Sequence, residues 1–353
     1  MRLAIRLLCY WLVPDMLQCS KSTLQGPEMP RKRLVLHIGM HRTGSTSLQR
    51  YFARNRRILR RLGVCYPNSY RLDGTMDPKH NAAFLSISHE ADFGRPHDRL
   101  GPSHSQVDAL AEQIRRAPGR YAVISAEGFS GERPVFAAAL APLAEEFDCR
   151  IVIFLRAQDD WVESFYKQMV INRQVKEVRP FTEFLEDPST QAHVDYDQII
   201  RWWEASFGAA AIHPTPYSAE PFTTLVKEGG LPGWLRWLPH RNAFLNSAPS
   251  ARSIEMMRRA NAQGLEAPRD AAKRLDQRFG RSEGSLMSDS ARAALKIAVE
   301  PGNRRLENRY DSFTEEGIWA ARHTTNTFHE WNETPESLAQ FWTKFASQAA
   351  LNP

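Results

Sequence analysis

Three runs of mostly apolar residues punctuate the first half of the chain: "LVLHI" at 34–38, "YAVISAE" at 121–127 and "RIVIFLR" at 150–156. Strands buried on both faces of a parallel sheet read this way, as continuous rather than alternating hydrophobic runs. Between the runs the period changes to that of a helix. Leu48, Phe52, Leu59 and Leu62 recur at helical spacing, arginines fill the opposite face, and Gly63 stands at a C-cap position. "VDALAEQIRRA" precedes the second run, and "FAAALAPLAEEF" separates it from the third. This alternation predicts an α/β fold, a doubly wound parallel sheet flanked by helices with right-handed crossovers.

Further along, the pattern loosens and then becomes helical. Residues 66–101, rich in Gly, Pro, His and Asp, predict a long loop region with a short helix, and long loops beside a ligand site are often functional. "DYDQIIRWWEASFG" predicts a helix capped at Gly208, followed by a strand at 209–213. From about Ser250 the segments "SARSIEMMRRANAQG" and "SDSARAALKIAVEPGNRRLENRY" and a tail at 335–349 all read as helices. The expected organisation is an N-terminal extension at 1–30, an α/β domain at 31–310 and a helical C-terminal tail at 311–353 packed on that domain. Trp202, Trp203, Trp319, Trp331 and Trp342 either pack amphipathic helices or stack on a ligand ring, and "NET" at Asn332 fits a glycosylation tripeptide.

Charge changes the picture locally. A formal net charge of +6 invites a nucleic-acid reading, but residues 31–61 hold ten of the 46 Lys and Arg and no Asp or Glu. The rest of the chain carries 36 basic against 40 acidic residues. A local attraction for anions follows, not a footprint for a duplex, so no nucleic-acid partner is expected. "LAIRLLCYWLV" near the N-terminus is interrupted by Arg6 and shorter than the ~20 residues that span a bilayer. We expect no stable membrane insertion; the extension is either disordered or a weak targeting segment, with Met29 as an alternative start. Cys9, Cys19, Cys65 and Cys149 are scattered, without a CxxC pair or ligand-like spacing to histidine. They read as reduced thiols of a cytoplasmic protein, and no metal site is expected. The oligomeric state is not legible.

The chemistry is concentrated in "LVLHIGMHRTGSTSLQRYF", which begins at Leu34. A strand, a loop with Gly39 and Gly44, and a helix opening on Ser45, Thr46 and Ser47 form the layout of a P-loop-type phosphate grip. Glycines let backbone N–H groups converge on an anion, and the helix start adds a favourable dipole. A Walker loop would continue Lys-Ser/Thr after the second glycine, but Ser45 stands in the lysine place. The nearest cation is Arg42. No strand ends in the Asp that would hold magnesium: one ends in Ser-Ala-Glu, another in Leu-Arg. In "IVIFLRAQDDWVESFYKQ", Arg156 closes the third run and Ser164 lies eight residues on, inside the next helix. Ligands bind at the C-terminal edge of such sheets, where an arginine and a hydroxyl could take a second phosphate.

Together these two elements resemble the sulfotransferases that use 3′-phosphoadenosine 5′-phosphosulfate (PAPS). In that family a loop like "HIGMHRTGSTSLQ" cradles the 5′-phosphosulfate, and an Arg followed eight residues later by Ser binds the 3′-phosphate. "ISAEGFS", "YDQIIRWWEASFG" and "NRRLENRY" also look like bacterial members. The resemblance covers roughly 33–310. It implies PAPS as co-substrate, no metal, and transfer of a sulfuryl group to a hydroxyl, less readily an amine, of a small-molecule or glycan acceptor. Carried onto this chain, it assigns Thr43, Gly44, Ser45, Thr46 and Ser47 to the 5′-phosphosulfate with Arg42 as cationic partner, and Arg156 and Ser164 to the 3′-phosphate. The family usually has lysine where this chain has Arg42, and the two cations are not equivalent. A weakened PAP- or PAPS-binding protein therefore stays open beside the active enzyme, as does a small-molecule kinase with an irregular loop.

A general base should deprotonate the acceptor. Glu127, after the strand "AVIS", lies where related enzymes acting on polysaccharides place a glutamate; the alternative is a cap or ion-pair residue. His80, in "PKHNAAF", belongs to the long loop expected to cover the site; the alternative is a structurally bonded histidine. His37 and His41 flank the glycine loop, and His37 reads as packed inside its strand.

Overall fold

The computed structural model describes residues 30–131, 133–218, 220–238, 249–266, 270–281, 284–313 and 317–321. The expected tail helix at 335–349, Trp331, Trp342, Asn332 and nearly all of the N-terminal extension lie outside the described residues.

In chain order the elements are β1 (Arg33–Gly39), α1 (Ser45–Arg61), β2 (Val64–Cys65), β3 (Ser69–Tyr70), β4 (Met76–Asp77), α2 (Asn81–Phe93) and α3 (Ser103–Arg116). They continue with β5 (Tyr121–Ser125), α4 (Val135–Leu140), α5 (Leu143–Glu146), β6 (Asp148–Leu155), α6 (Gln158–Ile171), α7 (Phe181–Glu186) and α8 (Pro188–Val194). The last are α9 (Tyr196–Phe207), β7 (Ile212–Pro216), α10 (Pro221–Glu228), α11 (Ala251–Ala262), α12 (Ala271–Phe279) and α13 (Asp289–Arg309). Five strands form a parallel sheet in the order β2-β5-β1-β6-β7, as the alternation predicted.

The apolar runs are explained by their two-sided burial. In β1, Leu34, Leu36 and Ile38 join one core layer with α3, α4, α6 and α9, while Val35 joins another with Leu48, Phe52 and Leu59 of α1 and Leu225 of α10. Met256, Leu275 and Leu306 of α11, α12 and α13 belong to the first layer, so the C-terminal helices share the core of the sheet. Phe52 is fully buried and stacks on Tyr66 at 5.3 Å. Truncating it to alanine should cost about 3–5 kcal/mol.

The boundaries differ from expectation where local chemistry intervenes. The second run stops at Ser125 because Glu127 opens a 3₁₀ turn, Glu127–Ser130. "FAAALAPLAEEF" divides at Pro142, which caps α5. The strand expected at 209–213 starts at Ile212, after a 3₁₀ turn at Ala209–Ala211. The 66–101 region is more ordered than a loop: β3 and β4 form a small antiparallel ribbon, and α2 runs for 13 residues. At the sheet edge, β7 carries Pro214 and Pro216, and the Tyr217 N–H beyond its end still donates to the Leu155 carbonyl at 2.7 Å. Among the described residues no helix is long and apolar enough to cross a membrane. Cys65 and Cys149 are buried free thiols.

Candidate functional site

The loop between β1 and α1 opens where β1 stops pairing regularly. Its register with β6 shifts between His37 and Gly39, which frees the chain to turn away from the sheet. Gly39 has φ +117°, and a Cβ there would stand 2.8 Å from both the Glu127 carbonyl and the Ser130 hydroxyl. Only glycine lets the turn after β5 come this close to the loop. Gly44, at φ +77°, caps α1 in the left-handed region. No side chain caps that terminus and no acid stands in the first turn, whereas Arg60 and Arg61 occupy the last turn. An N-terminus with no side-chain cap and no acid in its own first turn is an arrangement that favours an anion.

Inside the loop the hydroxyls divide into two sets. Thr43 and Ser45 are buried and turn inward, with Thr43 Oγ1 donating to the Met40 carbonyl at 2.6 Å and Ser45 Oγ reaching the same oxygen at 3.4 Å. They hold the loop's shape. Ser47 Oγ donates to the Gly44 carbonyl at 2.7 Å, and Thr46, on the exposed side, approaches Glu127 Oε1 at 3.5 Å.

One rim of the loop is cationic. Arg42, itself at φ +65°, donates from Nε to Ser164 Oγ at 2.8 Å. Arg156 approaches the Arg42 carbonyl from Nη1 at 3.4 Å, and its Nη2 lies 3.7 Å from Asp160, a long ion pair. The Arg156 Nε is buried without a partner. Desolvation and, after it, the charge of Arg156 lower the pKa of the Arg42 guanidinium. The structure thus brings Arg42, Arg156 and Ser164 together, with Arg42 turned towards the Ser164 side of the loop. Tyr196 holds the base of this rim through its hydroxyl on the Arg156 carbonyl, 2.9 Å away.

The other rim is a compensated acid. Glu127 is 8% exposed, accepts from His41 Nδ1 at 3.1 Å and lies 3.5 Å from Lys79 Nζ. Burial alone would raise its pKa, but the His41 hydrogen bond, the Lys79 charge and the nearby histidines bring it down to about 2. A carboxylate held this firmly ionised is a weak proton acceptor at neutral pH.

His80 is not brought to this rim. It is fully buried, accepts the Ser125 N–H on Nδ1 at 2.9 Å and faces the Pro67 carbonyl from Nε2 at 3.1 Å. Its pKa falls to about 4 because burial disfavours the charged form. With both nitrogens occupied by backbone, it ties the 66–80 segment to β5 and cannot reach an acceptor in this geometry. His37 is likewise buried, bonded to Ser125 Oγ at 2.8 Å and lowered by burial to about 4. Its Nε2 and the Oε1 of neighbouring Gln49 have no partner, a polar gap beneath the loop. Trp203 is packed in the core, Trp202 and Trp319 against its margin. Sequence reasoning missed Lys79 and the pairing of His41; their only signal was proximity to motifs that fold together.

No family model matches the sequence, and no curated protein matches it. Among solved structures, the chain is similar to a sulfotransferase from Alicyclobacillus acidocaldarius, with 14% identity and a TM-score of 0.37 over 78% of this chain and 97% of that one. It is also similar to a sulfotransferase domain from the curacin biosynthetic pathway, at 13% identity and a TM-score of 0.34 over 72% of this chain and 99% of that one. At such values neither likeness assigns an activity.

Proposed function

We propose that the protein transfers a sulfuryl group from PAPS to a hydroxyl, of a small molecule or a glycan, by in-line displacement. The observation that carries this reading is the convergence of Arg42, Arg156 and Ser164 beside the uncapped start of α1. Among the described residues these two cationic side chains meet a hydroxyl, a carbonyl and one long ion pair, which suits a phosphate group. The uncapped helix start, with Gly44, the exposed Thr46 and the half-buried Ser47, suits a second anionic group a short distance away. In-line transfer asks little covalent work of the protein, so positioning and neutralisation of the leaving phosphate dominate.

The test is calorimetric titration with 3′,5′-ADP, 5′-AMP and ATP without magnesium. The expected result is binding that needs the 3′-phosphate and weakens in Arg156→Ala by about 1.5–3 kcal/mol, the scale of a charge-assisted bond. Equal affinity for 3′,5′-ADP and 5′-AMP would sink the reading. Magnesium-dependent ATP turnover would favour a kinase instead.

A further inference from the structure

His41 differs from the buried histidines around it. Its Nδ1 is fixed by the Glu127 carboxylate at 3.1 Å, while the side chain keeps 26% of its surface in solvent. Among the described residues its Nε2 makes no hydrogen bond. The ring is held by its neighbours: Phe165 lies 5.6 Å away at 32°, and Trp161 Nε1 donates to the His41 carbonyl at 3.1 Å. His41 also sits one residue before Arg42, at the mouth of the loop. A carboxylate, an imidazole oriented by it and an open second nitrogen together form the usual plan of an activated base.

We infer that His41 is the general base for the acceptor, with Glu127 as the positioning residue that fixes its ring and tautomer. This rests on the sulfuryl-transfer reading. Because Glu127 is held ionised at about 2, it accepts from Nδ1–H and leaves Nε2 as the lone-pair side. During transfer the acceptor O–H proton passes to His41 Nε2 while the acceptor oxygen bonds to sulfur. The bond from sulfur to the bridging oxygen breaks, and 3′,5′-ADP leaves with the electron pair. The imidazolium then returns its proton to solvent. The charged and titratable groups around the ring are Glu127, with Lys79 behind it, Arg42 next in the chain, and His193 across the Trp161–Phe165 stack. Lys79 helps hold Glu127 charged.

The test uses the full chain, and PAPS with water as the acceptor, reading sulfate release. Loss of a general base should slow His41→Ala by about 10²–10⁴-fold. Added imidazole should restore part of that rate, which a structural defect would not allow. Glu127→Gln should lower kcat at least tenfold with little change in KM for PAPS, and ¹⁵N-histidine spectra should show Nδ1 protonated in wild type. Unrescued loss in His41→Ala, an undiminished rate, or Nδ1 unprotonated would each overturn the assignment. So would wild-type protein that binds 3′,5′-ADP yet releases no sulfate. Failure to bind 3′,5′-ADP would instead remove the donor reading, and the spectra alone would then decide the dyad.

Discussion

The two rims of the glycine loop are built from similar residue types but balanced in opposite ways. On the Arg156 side, two cations share a hydroxyl, a carbonyl and one carboxylate at 3.7 Å. On the Glu127 side, one anion is matched by His41 and Lys79 and brought down to about 2. The first rim is short of negative charge, which the proposed donor phosphate would supply. The second is complete already and holds a geometry. The difference separates recognition from orientation within one small site.

Removing both cations should give the largest effect. Arg42→Ala with Arg156→Ala should weaken 3′,5′-ADP by 10²-fold or more, since each charge-assisted bond contributes roughly 1.5–3 kcal/mol. Glu127→Gln should change the same affinity less than threefold. Equal losses in calorimetry would erase the contrast between the rims.

Acid should act next, beneath both rims. His37 and His80 have pKa values lowered to about 4 in the fold from 6.5. Above pH 6.5 both states are neutral and the stability is fully present. As pH falls from 6.5 towards 4, the unfolded chain binds protons first, and up to about 3 kcal/mol per histidine is lost. Urea midpoints at pH 7 and pH 4.5 would measure this; a flat profile contradicts the neutral buried pair.

Glu127 titrates lower. Its stabilisation is present above pH 4.5 and lost as pH falls towards 2, so Glu127→Gln should cost on the order of 1–3 kcal/mol at pH 7 and progressively less in acid. A difference from wild type that does not narrow below pH 4.5 would contradict the compensated carboxylate. Smallest is Lys79→Met, whose long, partly exposed ion pair should contribute about 0.2–1 kcal/mol in denaturation. A larger loss would make Lys79 more than a partner of Glu127.

Legibility in the sequence followed the range of the interactions. The β1–loop–α1 unit and the β6–α6 unit were readable because their signals are local: an apolar run, two glycines, an arginine eight residues before a serine. Their adjacency followed from parallel-sheet rules. The His41–Glu127 pair was not readable, because it joins positions 86 apart through the closeness of β1 to the turn after β5. His80 misled for a related reason. A histidine in a polar segment looks free until the Ser125 and Pro67 backbone groups that occupy it are known. The α12 helix was missed, and β7 was placed three residues early; for β7 the reason is that the alanines of the turn at 209–211 run into Ile212 without a break in apolar character.

The prolines of β7 bear on how the molecule behaves among its own copies. Tyr217 N–H points at β6, so by alternation the N–H positions of residues 214 and 216 face outwards, and proline removes both. Ser312 Oγ donates to the outward carbonyl of Pro214. At the opposite edge β2 is only two residues long. Neither border of the sheet offers an incoming strand an unbroken row of donors and acceptors, so the fold is guarded against growing sideways into a larger sheet.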